Sequence, residues 1–93
     1  MAVSNIIAFG STAATSNPIG VDVNEVATVT GWSNVDGKPL HWVCKIDVKM
    51  SNNEWTTIGE LSYRNPRETI FGEGTYRVRR TEGACLVDLA LGA

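Results

Sequence analysis

The side chains that could take part in a reaction are few and far apart. The chain of 93 residues holds one histidine, His41, two cysteines, Cys44 and Cys85, and ten carboxylates. Nucleophilic catalysis sets a Ser or Cys against a base with an acid behind it, and local signatures of that arrangement, such as Gly-x-Ser-x-Gly, do not occur. His41 stands beside Trp42 on the strand face opposite the apolar one, the place of an exposed, non-catalytic histidine. The carboxylates are spread singly, so no pair presents itself as a general acid and base. Gly72-Glu73-Gly74 has the glycines of a phosphate loop but lacks the Lys-Ser/Thr ending and leads into a strand, so it is a turn. With no CxxC pair and no Cys/His cluster, the residues predict no catalytic group, no cofactor and no metal. One bridge between Cys44 and Cys85 is conceivable, but two thiols at this spacing make no disulfide framework; they read as small buried hydrophobes.

The elements that would carry these groups repeat with period two. From Leu40 to Met50, Trp42, Cys44, Ile46, Val48 and Met50 point one way and His41, Val43, Lys45, Asp47 and Lys49 the other. After Gly74, Tyr76, Val78 and Arg80 share one face, Thr75, Arg77 and Arg79 the opposite one. These two strands are expected to pair at the centre of an antiparallel sheet. Ser51-Asn52-Asn53-Glu54 closes a hairpin into Trp55, Thr57, Gly59 and Leu61. Ile19–Val23 and Val26–Gly31 suggest two short strands or one bent one. Asn34, Asp36-Gly37 and Pro39 make the segment from Trp32 to Pro39 a loop. Tyr63–Arg67, with Pro66, is a crossing loop, Thr69–Phe71 a short strand, Thr81-Glu82-Gly83 a turn, and Cys85–Leu91 a last alternating strand. No window shows a helical period. The expected fold is all-β, an antiparallel β-sandwich, Ig-like or jelly-roll-like, of about six to eight strands. Its core should hold Trp42, Ile46, Val48, Tyr76, Val78, Val87 and Leu89.

Composition bounds the partners. At 43% hydrophobic and 19% charged the chain is an ordered globular protein of one domain. It is small enough to gain stability from association. A net charge of −2 and a pI near 5.2 disfavour nucleic acid as a partner. No stretch approaches the roughly 20 apolar residues of a membrane span, and the N-terminus lacks the basic region of a secretory signal, so synthesis in the cytosol is expected.

Three groups of residues are candidate surfaces. The first charged side chain is Asp22; residues 1–18 therefore form either an extended arm that grips a neighbour, through Ile6, Ile7 and Phe9, or a first strand, with residues 19–93 as the sandwich. Arg64, Arg67, Arg77, Arg79 and Arg80 crowd the C-terminal third. Because Arg pairs bidentately with carboxylates, Arg64, Arg67, Arg77 and Arg79 could serve a protein interface or pair with the chain's own Glu60, Glu68, Glu73 and Glu82. Trp32, Trp55 and Tyr63 could stack on sugar rings, the basis of a glycan-binding alternative.

Gly74-Thr-Tyr76-Arg-Val-Arg-Arg80 with its short turn and final apolar strand, preceded by Trp55-Thr-Thr-Ile-Gly-Glu60 and the Asn65-Pro-Arg67 crossing, resembles small all-β accessory proteins of tailed-bacteriophage virions. The likeness covers roughly the latter half of the chain. A Gly-x-Tyr-x-Val strand also resembles immunoglobulin-like and fibronectin-like sandwiches, but Val78 stands where their cysteine is expected. The resemblance implies a non-enzymatic virion structural protein, a capsid decoration or cement protein made in the host cytoplasm. Its partners would be the major capsid protein or another virion protein and further copies of itself, with a trimer favoured. A tail or head-fibre sandwich domain, or a carbohydrate-binding module, is the alternative.

Overall fold

The computed structural model of the chain describes residues 2–35, 38–39 and 41–92. Over these the backbone forms β1 (Ala2–Gly10), β2 (Ala14–Thr15), β3 (Ile19–Val21), β4 (Val26–Trp32), β5 (Asn34–Val35), β6 (Lys38–Pro39), β7 (Trp42–Lys49), β8 (Trp55–Ser62), β9 (Arg67–Phe71), β10 (Gly74–Gly83) and β11 (Cys85–Gly92), with no helix among the described residues. Sheet A runs β1-β11-β4-β9. Sheet B runs β2-β10-β7-β8, with β3 also on β10, and every pairing is antiparallel.

β2 and β3 are two parts of one edge strand. Ala14 and Thr15 pair with Arg80 and Arg79, while Ile19 to Val21 pair with Tyr76 to Gly74. Between them Ser16 donates its N–H to the Val78 carbonyl at 2.8 Å, and its hydroxyl accepts the Val78 N–H at 3.0 Å. Pro18, which has no amide hydrogen, then interrupts the ladder. With that edge counted once and the small β5–β6 ribbon set aside, eight strands remain. The first, last, third and sixth make sheet A and the second, seventh, fourth and fifth make sheet B. That order is a jelly roll and not an immunoglobulin sandwich.

Alternation places the core between the sheets. Trp42, Cys44 and Ile46 of β7, Tyr76 and Val78 of β10, Ala27 and Val29 of β4, and Cys85, Val87 and Leu89 of β11 are buried there with Ile7, Ile19, Val21, Leu61 and Ile70. Val48 is partly buried and packs against them. Of the residues expected inside, it is the one near the rim. The Trp42 ring crosses the sandwich to lie over Gly31 of β4, where a Cβ would come within 2.2 Å of the indole. Only a glycine lets the two sheets close on that ring.

Three local expectations change. A β-bulge between Ile46 and Asp47 shifts the β7–β8 register, so that Gly59 faces Ile46 in the core while Thr57 pairs with Asp47 on the outer face. Strict alternation from Trp55 to Leu61 therefore fails at Ile58, the extra residue. Thr81–Gly83 is not a hairpin turn: β10 continues through it, with a register shift between Arg80 and Glu82, and Ala84 alone joins β10 to β11 in the other sheet. The loop from Trp32 to Pro39 contains the β5–β6 ribbon; its Asp36-Gly37 pair, like Leu40, lies outside the described residues.

The tight seat of Trp42 gives a stability prediction. Gly31→Ala should cost about 1–3 kcal/mol by overpacking, and adding Trp42→Phe, which removes the ring edge that clashes, should restore part of the loss. Urea-denaturation midpoints of the wild type and both variants measure this; equal midpoints for wild type and Gly31→Ala would refute the packing argument.

Candidate interaction faces

The outward side chains of sheet B form a charged lattice centred on Asp47. Asp47, central on β7, is only 1% exposed although it lies on the outer face, because Arg77 and Arg79 of β10 fold over it. Arg77 Nε donates to Oδ2 at 2.8 Å, Arg79 Nε to Oδ2 at 2.6 Å and Nη2 to Oδ1 at 3.2 Å, and the Thr57 hydroxyl of β8 to Oδ1 at 2.8 Å. Both carboxylate oxygens thus accept more than one bond. The Arg77 guanidinium also stacks on Trp55, 4.4 Å from the ring centroid, and Lys45 pairs with Glu60 one row away. Burial would raise the Asp47 pKa, but hydrogen bonds from Arg79, Arg77 and Thr57, with the Arg79 charge, outweigh it and hold the carboxyl below its ordinary value.

The outward face of sheet A has a different character. Asn5, Asp88, Thr30 and Arg67 form one cross-strand row, and Val3, Ala90, Thr28 and Thr69 form the next. Trp32 beside Leu86 and Phe71 beside Val26 flank them. Asp88 and Arg67 are the charged members of these rows. Val3 is 68%, Trp32 53% and Phe71 74% exposed. Between Val3 and Arg67 the small side chains Thr28, Thr30 and Ala90 leave a shallow depression of about 400 Å³. Low charge, protruding aromatics and a concave floor are the composition of an interface centre.

The residues singled out from the sequence scatter over this frame. Ile7 is buried in the core and Ile6 is partly packed against it, because a register shift between Asn5 and Ile7 breaks the alternation. Asn5 fills the break, its amide donating to the carbonyls of Ile7 and Val87 and to Asp88 Oδ1. Ile7 is not free to grip a neighbour and Ile6 is so only in part, whereas Phe9 is half exposed. Arg77 and Arg79 are engaged by Asp47, not by the glutamates proposed for them and not by open solvent. Arg67 lines the sheet A depression and Arg64 sits in the β8–β9 loop, 5.5 Å from the Tyr63 ring centroid. Trp32 belongs to the outer face of sheet A, Trp55 to that of sheet B, and Tyr63 to the loop against His41, with ring centroids 4.9 Å apart. These three aromatics do not form one sugar platform.

His41 is exposed, with Nδ1 3.9 Å from Glu82. Among the described residues no group of three His, Cys, Asp or Glu side chains is placed to hold a metal ion. Sequence reasoning passed over Asp47 as a site residue and, inside the sandwich, over Arg80 beside the two cysteines; an ionisable residue in mid-strand facing two others was the available signal. The chain matches no family model, no curated protein and no solved structure.

The Asp47 cluster makes stability depend on pH. Since its folded pKa lies below the unfolded value of about 3.9, the contribution is complete above that pH and is lost as pH falls through the folded value. Asp47→Ala should cost about 2–3 kcal/mol at neutral pH, the worth of hydrogen bonds to charged groups, and should flatten the acid limb of a stability–pH curve. Denaturation midpoints between neutral pH and pH 2 check both; parallel acid limbs would contradict the assignment.

Proposed function

We propose that the protein is a non-enzymatic virion accessory protein, a decoration or cement protein that docks through the outer face of sheet A onto an assembled bacteriophage shell. The observation that carries this reading is the contrast between the two outer faces: sheet B ties Arg77 and Arg79 to Asp47 and Lys45 to Glu60, while sheet A presents Val3, Trp32 and Phe71 around a hollow whose charged lining residues are Arg67 and Asp88. The jelly roll adds support by analogy of fold, since it recurs in capsid proteins but also in lectins and cupins. The likeness of the Tyr76 strand to phage accessory proteins points the same way.

Such a clamp needs no reaction. An apolar side chain of a neighbouring capsid subunit would enter the hollow between Arg67 and Val3, and Arg67 and Asp88 at its rim would set the register with polar groups of that subunit. If each copy buries about 800 Å² against its partners, the symmetry of the shell repeats the contact, and several copies, three around a local three-fold junction in the favoured arrangement, reinforce one another. Binding is to the lattice, because a junction between subunits exists only after assembly.

The test is to mix the purified chain with intact particles and with unassembled capsid protein, then measure co-sedimentation. Wild type should bind particles and not free subunits. Val3→Glu and Ala90→Arg, each placing a charge in the hollow, should weaken particle binding by tenfold or more, about 1.4 kcal/mol, whereas Lys49→Glu on the sheet B side should not. Binding by all variants alike, or by none including wild type, defeats the proposal.

A further inference from the structure

Inside the sandwich, at the corner where β10 passes into β11, two thiols and a guanidinium meet. Cys44 on β7 and Cys85 on β11 belong to different sheets, are fully buried, and bring their sulfurs to 3.5 Å of each other. The closeness has a structural cause. Face-to-face sheets stand about 10 Å apart, but Ala84 alone spans them here, and Gly83 in the left-handed region (φ 71°) pairs directly with Trp42. A Cβ on Gly83 would strike the His41 carbonyl at 2.1 Å. The chain is thereby pinched where the cysteines face each other.

Arg80, the cross-strand partner of Cys44, is 5% exposed. Its Nε donates to the Thr12 carbonyl at 2.7 Å, and Nη1 donates to the carbonyls of Ala8 at 2.9 Å and Cys85 at 2.7 Å. Among the described residues no carboxylate pairs with it. A buried cation held only by carbonyl dipoles lacks a counter-charge, and such a group is costly unless an anion is near. The ionisable groups beside it are these thiols. The Cys44 hydrogen bond and then the Arg80 charge and hydrogen bond, working against burial, lower the Cys85 pKa; the same hydrogen bond, with burial, raises that of Cys44. Of the two thiols Cys85, next to the Arg80 guanidinium, is therefore the one that ionises more readily, and Cys44 the one that keeps its proton.

We propose that Cys44 and Cys85 are a thiol–disulfide exchange site that a small-molecule disulfide converts into a bond between the two sheets. Cys85 thiolate attacks one sulfur of the oxidant RS–SR, forming a mixed disulfide and releasing RS⁻, which takes a proton from Cys44. Cys44 thiolate then attacks the Cys85 sulfur and expels the second RS⁻, which is protonated by water. Two electrons and the Cys44 proton have passed to the oxidant, and the proton that water gives the second RS⁻ balances the one Cys85 released on ionising, so that two thiols and RS–SR become one internal disulfide and two RSH. Both thiols are fully buried, and Arg80 beside them is tied to β1 through Ala8 and to the β1–β2 connection through Thr12. Exchange therefore waits on a local opening of the sandwich at this corner, and its rate follows the opening. This site is independent of the docking face on sheet A.

The experiment equilibrates the full-length chain with glutathione disulfide or with dithiothreitol, with a low urea concentration to speed opening. Alkylation in denaturant and mass spectrometry follow. The oxidised sample should be a monomeric chain two hydrogens lighter that takes no alkylating group. Because the bond closes a loop between residues 41 apart in sequence, its melting temperature should rise by more than about 10 °C. Dithiothreitol should reverse both changes. Cys44→Ala should stop at a Cys85–glutathione mixed disulfide, Cys85→Ala should remain alkylatable, and neither should show the rise; should either fail to fold, the wild-type comparison decides alone. Retention of both thiols in glutathione disulfide, a bond formed only between chains, or an internal bond that lowers the melting temperature would each overturn the proposal.

Discussion

The register of β10 against β7 is the constraint from which most of this structure follows. Tyr76 faces Val48, Arg77 faces Asp47, Val78 faces Ile46 and Arg79 faces Lys45. Since side chains alternate across a strand, that one alignment decides both layers at once. On the core side it stacks Tyr76 and Val78 on Ile46 and sets Arg80 beside Cys44. On the outer side it lays Arg77 and Arg79 over Asp47. A slip of one residue would put Arg77 and Arg79 in the core and Val78 in water, so the alternatives are excluded by a large margin.

A buried ion pair is an ambiguous contributor to stability, because desolvating the charges offsets much of their attraction. The Asp47 cluster escapes part of that cost. Its two guanidinium groups remain 26% and 34% exposed while the carboxylate alone is shut away, and both carboxylate oxygens are fully served by donors. The cluster also fastens β10 to β7 and, through Thr57, to the edge strand β8. Arg80 is the inverse case: the cation is buried, and its donors end on backbone carbonyls. One lattice tightens sheet B in its own plane, and the other joins sheet B to the β1–β2 connection and to β11 of sheet A.

The two outer faces then differ because the acidic and basic side chains are unevenly divided between them. In sheet B, charged residues from β10, β7 and β8 find one another across adjacent strands. In sheet A, β4 offers threonines and β11 offers Leu86, Ala90 and one acid, Asp88, at the outward positions, so fewer charges there compete with an apolar partner. A domain of this size gains from covering such a face. A jelly roll leaves that face uncovered by its own chain while both sheets share one core.

Much of this was determined by the sequence alone. Period-two runs named β7, β10 and β11 and most of the core, since burying one face of a sheet imposes alternation directly on the chain. The inward position of Arg80 and the outward positions of Asp47, Arg77 and Arg79 were likewise legible in that alternation. Tertiary structure decided what alternation cannot encode. Which strand neighbours which separates a jelly roll from an immunoglobulin sandwich, and that depends on contacts between residues remote in sequence. The bulge at Ile58 and the register break before Ile7 reverse the facing of everything beyond them, so the outward Trp55 and the buried Ile7 could not be read from spacing. The meeting of Cys44, Cys85 and Arg80 also belongs to the three-dimensional fold, because it exists only where one residue, Ala84, carries the chain from one sheet to the other.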